Sequence, residues 1–351
     1  MARRNNKMET KIIKVPENKW ELVLPAETDI KTAETRLDRF RQYAVNRLSM
    51  VPRELSKQNP LKYGMPFEEV DFLSRDGLRL SGWYIPAVAA NGQLMGIVSN
   101  SPTIIVAHGY RRSKASCLEL AHWLWMAGYN IFMLDFRGHG YSEGPRGTSI
   151  GYMERLDVLG AVDYLNRRGM RRLGILGVSM GAAASILAAS ENQNLRAVVA
   201  DSSYAELQRS ITTQVMSIYK APRLPSIPVA KWAFRAIAEH HGFDPKVASP
   251  VDYVQMIAPR PLLLIHGDAD SLTEVVNSKM LYNKAQEPKE LWVVPGVEHV
   301  KAFKARPDEY RQRVLNFFAK VQWQANPVVS SPVVRDSIAP RPIMNNVPKM
   351  A

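Results

Sequence analysis

From about residue 103 onward, short and continuously apolar runs alternate with longer helical stretches, and this alternation restricts the fold more than any other feature of the chain. The runs fall at residues 103–107, 131–134, 173–178, 196–200, 261–265 and 290–294. Between them, residues 117–127, 153–168, 180–189, 273–285 and 307–321 carry helical patterns. A strand with no polar alternation has both faces buried, and strands separated by helices must cross over to pair in parallel. The pattern therefore predicts an α/β fold: a mainly parallel, doubly wound sheet. Ahead of it, residues 69–74 and 78–85 flank Arg75-Asp76-Gly77 and read as an antiparallel hairpin at the sheet edge.

The interval 202–250 lies between two strand candidates and is too long for a plain loop. Helical patterns over 204–219 and 228–241 make it a small helical cap. Its apolar residues Leu207, Ile211, Val215, Met216, Tyr219, Trp232, Phe234 and Ile237 can pack the cap or line a pocket beneath it. Trp232 and Met216 are the candidates for setting substrate preference. Residues 1–65 form an N-terminal extension and residues 66–321 the main domain. Residues 322–351, with Pro327, Pro332, Pro340, Pro342 and Pro348, form a Pro-rich tail expected to be mobile.

Within the extension, residues 31–48 read as an amphipathic helix. Ala33, Leu37, Phe40, Ala44 and Leu48 make one face, with Lys31, Arg36, Arg39, Arg41 and Arg47 around it. Such a helix either docks on the domain or makes weak contact with a membrane surface. Glu9, Lys11, Lys14, Glu17 and Lys19 interrupt the N-terminus, so no apolar core of a secretory signal is present there. The expected location is cytoplasmic, with a membrane-peripheral position as the variant. The chain has a formal charge of +13, but its basic residues are scattered and lack interleaved aromatics. Nucleic acid is accordingly not an expected partner. Cys117 is the sole cysteine, which rules out an intrachain disulfide framework.

The chemistry concentrates at Gly177-Val178-Ser179-Met180-Gly181. This G-x-S-x-G follows an apolar strand and opens an Ala-rich helix, so a tight turn would lift the Ser179 hydroxyl above the sheet. A serine hydroxyl needs a base to become a nucleophile. His108, His139 and His266 each follow a strand, but His299 alone lies C-terminal to every acidic candidate, as the order Ser, acid, His requires. The acid belongs on the loop after residues 261–265, where Asp268 and Asp270 compete. Asp270, further into the loop, is preferred; it could instead cap the following helix. Asp201 is a third candidate, better suited to structural hydrogen bonds.

Gly138-His139-Gly140-Tyr141-Ser142-Glu143-Gly144 has glycine spacing one residue off a dinucleotide fingerprint, and no helix start follows it. No H-E-x-x-H or Walker loop occurs. Adjacent His240 and His241 point in different directions on a helix and read as a solvated helix end rather than a metal pair. Neither a metal nor an organic cofactor is implied.

Together, His108-Gly109-Tyr110, Asp135-Phe136-Arg137-Gly138-His139-Gly140-Tyr141-Ser142, Gly177–Gly181, Asp270 and Pro295-Gly296-Val297-Glu298-His299 resemble the α/β-hydrolases. The likeness is to bacterial serine aminopeptidase-like and dienelactone-hydrolase-like esterases. The resemblance covers about residues 66–321. It implies a serine hydrolase with Ser179 as nucleophile, Asp270 and His299 as its partners, and the backbone N–H groups of Tyr110 and Met180 as the oxyanion hole. Tyr110 and Arg111 after the first glycine depart from the H-G-G-G turn of some lipases. The substrate would be a small molecule or a peptide, with carboxylic esters ahead of thioesters and amides. A peptidase-like amide hydrolase and a catalytically silent binding protein on the same fold are the alternatives.

Overall fold

In the computed structural model, described over residues 12–13, 21–23, 36–88, 101–219 and 223–323, an eight-stranded sheet forms the centre. The Pro-rich tail from residue 324 and most of the first 35 residues lie outside the described residues. The sheet strands are β4 (Glu68–Leu73), β5 (Arg79–Ile85), β6 (Thr103–Ala107), β7 (Asn130–Leu134), β8 (Leu173–Val178), β9 (Leu195–Asp201), β10 (Leu262–Gly267) and β11 (Lys289–Val294). They stand in the order β11-β10-β9-β8-β6-β7-β5-β4. The six strands from β11 to β7 are parallel; β4 and β5 pair antiparallel, and β5 joins β7 antiparallel. The expected α/β sheet with an antiparallel edge is what forms. A separate three-stranded antiparallel sheet joins β1 (Ile12–Ile13), β2 (Glu21–Val23) and β3 (Arg53–Leu55).

The runs that named the strands in the sequence are wholly buried in β6, β7, β8 and β10. One face of the sheet is covered by α3 (Glu154–Arg167), α4 (Met180–Glu191) and α7 (Val276–Lys284). The other is covered by α2 (Leu118–Met126), α8 (Ala302–Ala305) and α9 (Pro307–Ala319). Chain order and spatial order part company at β6, which has β7 on one side and β8 on the other. A reversal of this kind opens a crevice at the carboxyl ends of the strands.

The cap consists of α5 (Leu207–Tyr219) and α6 (Arg223–His241). α6 begins five residues before Pro228 and carries that proline inside it; a proline removes one intrahelical bond, and the long helix is held by its packing on α5. Leu207, Ile211, Val215, Phe234 and Ile237 are buried in one cluster with Ile150, Ala183 and Tyr204 of the domain and Ala44 and Leu48 of α1 (Arg36–Leu48). Ala44 and Leu48 of the apolar face of α1 thus pack in the same cluster as α6, and Arg41 forms an ion pair with Glu239. Among the described residues, no helix is long and apolar enough to cross a membrane.

His241 corrects the sequence reading of a solvated helix end. The end of α6 turns into the domain, where the Phe243 ring lies tilted against Tyr152 with centroids 4.6 Å apart. His241 is only 5% exposed, with Nε2 2.9 Å from the Thr148 carbonyl. Burial drives its pKa down to about 4, against the opposing pull of Glu154.

Candidate active site

Ser179 sits between β8 and α4 with φ 54° and ψ −116°, a conformation rare for a residue with a side chain. Its N–H donates to the Asp201 carbonyl at 2.8 Å, tying the turn to the end of β9. The flanking glycines explain why the turn fits. A Cβ on Gly181 would come within 2.4 Å of the Ala107 carbonyl oxygen, and one on Gly177 within 2.4 Å of that of Gly181. Only hydrogen at these positions lets α4 start against β6.

The Ser179 Oγ lies 2.9 Å from His299 Nε2, and His299 Nδ1 lies 2.6 Å from Asp270 Oδ2. With the Nδ1 proton facing the carboxylate, Nε2 is left to accept the serine proton. The structure therefore brings together Ser179, His299 and Asp270 from the loops after β8, β11 and β10. It separates the rival acids. Asp268 is exposed and accepts the Gly296 N–H at 2.6 Å, bracing the loop that carries His299. Asp201 accepts from Tyr310 at 3.0 Å and Ser202 at 2.9 Å.

Asp270 divides its two oxygens. Oδ1 accepts the N–H groups of Leu272 at 3.0 Å and Thr273 at 2.7 Å, the turn-capping job, while Oδ2 faces His299. Burial alone would raise its pKa. Hydrogen bonds from His266 and His299, the charge of His299 when protonated, and the Thr273 N–H outweigh burial and bring it down to about 2. His266, whose Nε2 lies 3.3 Å from Asp270 Oδ2, was not singled out from the sequence as a partner of this carboxylate. Its i,i+4 spacing from Asp270, from the end of β10 into the loop that follows, is the signal that could have found it.

Tyr110 and Met180 line the same cavity as Ser179 and His299. Among the described residues neither backbone N–H has a hydrogen-bond partner, leaving both donors free at the helix start and the loop after β6. The cavity has a volume of about 580 Å³. Its walls include Cys117, Leu120, Ile150, Leu272 and Phe303, with Lys304 and Glu119 among the charged residues. Ser210 of α5 is the cap-helix residue among its described lining, and neither Trp232 nor Met216 belongs to that lining. The expectation that these two shape the pocket is corrected: Trp232 packs against the cluster shared with α1, so the cap spends its apolar face on docking. Among the described residues no group of three or more His, Cys, Asp or Glu side chains could hold a metal ion.

A doubly wound sheet bearing a serine on a strand-to-helix elbow at its switch point defines the chain as an α/β-hydrolase. Residues 99–249 match the family described as serine aminopeptidase, S33. The chain is 32% identical over 256 residues to the uncharacterized protein YfhR of Escherichia coli O157:H7, covering 71% of this chain and 80% of that one. It is 29% identical to the uncharacterized protein YqkD of Bacillus subtilis, covering 61% and 70%. It is also similar to the solved esterase Pf2001 of Pyrococcus furiosus, at 27% identity and a TM-score of 0.62, covering 77% of this chain and 98% of that one. The chain belongs to the α/β-hydrolases, in one family with the uncharacterized protein YfhR.

Proposed function

We propose that the protein is a serine hydrolase that cleaves carboxylic esters through an acyl-enzyme on Ser179. The observation that carries this reading is the unbroken Ser179–His299–Asp270 chain of 2.9 and 2.6 Å on the wall of a 580 Å³ cavity. Ser179 Oγ attacks the carbonyl carbon as His299 Nε2 takes its proton. The proton then goes to the departing alkoxide, and Asp270 stabilises the imidazolium between the two transfers. The N–H groups of Tyr110 and Met180 receive the oxyanion. Water repeats the sequence in reverse and frees Ser179.

Esters are preferred to amides because the lining is largely apolar and the Pyrococcus furiosus neighbour is an esterase. The test is labelling with a fluorophosphonate, followed by a panel of aryl esters, acyl thioesters and aminoacyl amides. Wild type should label and favour esters. Ser179→Ala should lose the label and most turnover, retaining the roughly 10³–10⁴-fold advantage over water that binding and the oxyanion hole supply in other serine hydrolases. Labelling at another serine would remove the assignment. A preference for aminoacyl amides would replace the ester reading with a peptidase.

A further inference from the structure

The cavity wall carries charge that ester cleavage by the triad does not use. Its charged residues are Arg111, Arg112, Lys304, Glu119 and Asp201. Two of them are engaged inside the protein. Arg112 Nη1 lies 3.6 Å from Glu54 Oε1. Asp201 accepts from Tyr310 and Ser202, and burial raises its pKa and so favours its uncharged form. Among the described residues Arg111, Lys304 and Glu119 form no ion pair. Two unpaired cations against one unpaired carboxylate leave the wall with one positive charge in excess.

Arg111 holds its place against a backbone preference. Its φ is 60°, where glycine or asparagine would sit with less strain than a long side chain. Strain of this kind persists only where the surroundings fix it, and it gathers at binding sites. Two contacts fix the guanidinium. Nη2 donates to the Arg47 carbonyl at 3.1 Å, at the end of α1, and Cζ lies 5.2 Å from the centroid of the Tyr110 ring. That ring is in turn tied by its hydroxyl, which donates to the Leu48 carbonyl at 2.7 Å. Neither contact neutralises the charge. Arg111 directly follows the residue assigned as an oxyanion donor and lines the same cavity as Ser179. On another wall, Lys304 of α8 stands between cations that do pair, Lys301 with Glu298 and Arg311 with Asp308, and lines the cavity beside Phe303.

We propose that the esters this site takes carry a carboxylate, bound by Arg111 as the specificity-determining residue, with Lys304 adding its charge from α8. The planar guanidinium matches a carboxylate through parallel N–H groups. The apolar wall at Leu120 and Phe303 takes the carbon chain between the charge and the ester. One positive charge in excess suits a single anionic group, whereas a phosphate monoester carries about 1.5 to 2 negative charges and would be left partly uncompensated. This inference rests on the serine-hydrolase reading and names its substrate class.

The test is kcat/KM on two matched pairs of esters at low ionic strength. In one pair the charge lies on the acyl side: the 4-nitrophenyl half-ester of adipic acid against its terminal methyl ester. In the other it lies on the alcohol side: the butyrate ester of 3-hydroxybenzoic acid against that of methyl 3-hydroxybenzoate. Wild type should favour the charged member of at least one pair by about ten-fold, the size of one charge-assisted hydrogen bond on a solvated wall. Sodium chloride at about 0.5 M should reduce that ratio several-fold. Both members of a pair use the same triad and oxyanion hole, so the ratio cancels any effect of a substitution on the Tyr110 turn. Arg111→Gln should bring the ratio toward one, Arg111→Lys should keep part of it, and Arg111→Glu should invert it. Lys304→Gln should lower it by about two- to three-fold. A wild type with no preference for charge in either pair, or a preference that Arg111→Glu leaves intact, overturns the proposal. If Arg111→Glu does not fold, an unchanged ratio in Arg111→Gln overturns it equally. Fluorophosphonate labelling separates the two readings. A protein that labels at Ser179 and cleaves the neutral esters without charge preference has lost only the carboxylate assignment. One that neither labels nor cleaves any of the esters has lost the serine mechanism, and this inference with it.

Discussion

Asp268 and Asp270 are two residues apart, yet their surroundings give them different work, and substitution by asparagine should separate them. In Asp268→Asn the remaining amide oxygen can still accept the Gly296 N–H, now 2.6 Å from the carboxylate. Turnover should change little, within about three-fold, as for the loss of part of one exposed hydrogen bond. In Asp270→Asn the imidazole loses the anion that sets its tautomer and stabilises its charged form. A fall in kcat of about 10⁴ is expected, the size of the corresponding change in the serine protease triad. Steady-state kinetics on one ester decides it, and a crippled Asp268→Asn beside an active Asp270→Asn would reverse the roles. The sequence brought the acid down to this loop because strand order places it there. Spacing could not choose between the two carboxylates, since each can cap a turn as well as face a histidine. The choice depends on the path of the loop: Asp270 is folded inward beneath His299, and Asp268 turns outward to Gly296.

The same contrast between pattern and placement appears in the helices. Apolar periodicity correctly marked both cap helices as amphipathic, but a periodic face does not say what it will cover. Here it covers α1 and the loop around Ile150, with Leu48, Leu207 and Phe234 in one cluster. The cavity wall comes instead from α2 and α8, where Leu120 and Phe303 stand among the lining residues. Nothing in their sequence setting distinguishes them from ordinary core positions. It follows that Leu120→Ala and Phe303→Ala should widen the cavity and shift preference toward bulkier acyl esters. Trp232→Ala should lower stability with the chain-length profile unchanged. Each methylene gained or lost in an apolar pocket is worth about 1–3 kcal/mol, so the shift should be graded, roughly 10- to 200-fold between neighbouring chain lengths at most. The check is kcat/KM over a series of p-nitrophenyl esters. A changed profile in Trp232→Ala, with none in the other two, would return acyl selection to the cap.

Across the whole molecule, the mainly parallel sheet was legible because β6, β7, β8 and β10 are buried on both faces and leave plain apolar runs, and the edge hairpin because Arg75-Asp76-Gly77 marks its turn; the order of the strands across the sheet was not. Nor was the polar part of the tie between the extension, the cap and the domain, because its groups converge only after folding. Glu154 accepts from Ser149 and Thr148 side chains and from the Gly151 N–H at 2.7 Å, and His241 of α6 reaches both the Thr148 carbonyl and Ser49. His241 makes this junction pH-sensitive in a defined direction. An unfolded chain takes up its proton near the ordinary value of 6.5, whereas the folded state refuses it until about 4. Between those values the unfolded state binds more protons, so stability falls as pH falls and the contribution levels off below about 4. Asp157, raised to about 6 by burial despite its pairing with Arg137, works in the opposite sense over much of the same range. The total pH dependence is therefore less diagnostic than a difference. His241→Gln keeps a donor for the Thr148 carbonyl but has no proton to exchange. Wild type should lose stability relative to His241→Gln on going from pH 7 to pH 5, with a slope approaching about 1.4 kcal/mol per pH unit. Urea unfolding of both proteins at the two pH values measures this. Parallel losses in wild type and variant would show that His241 does not carry the acid sensitivity of the junction.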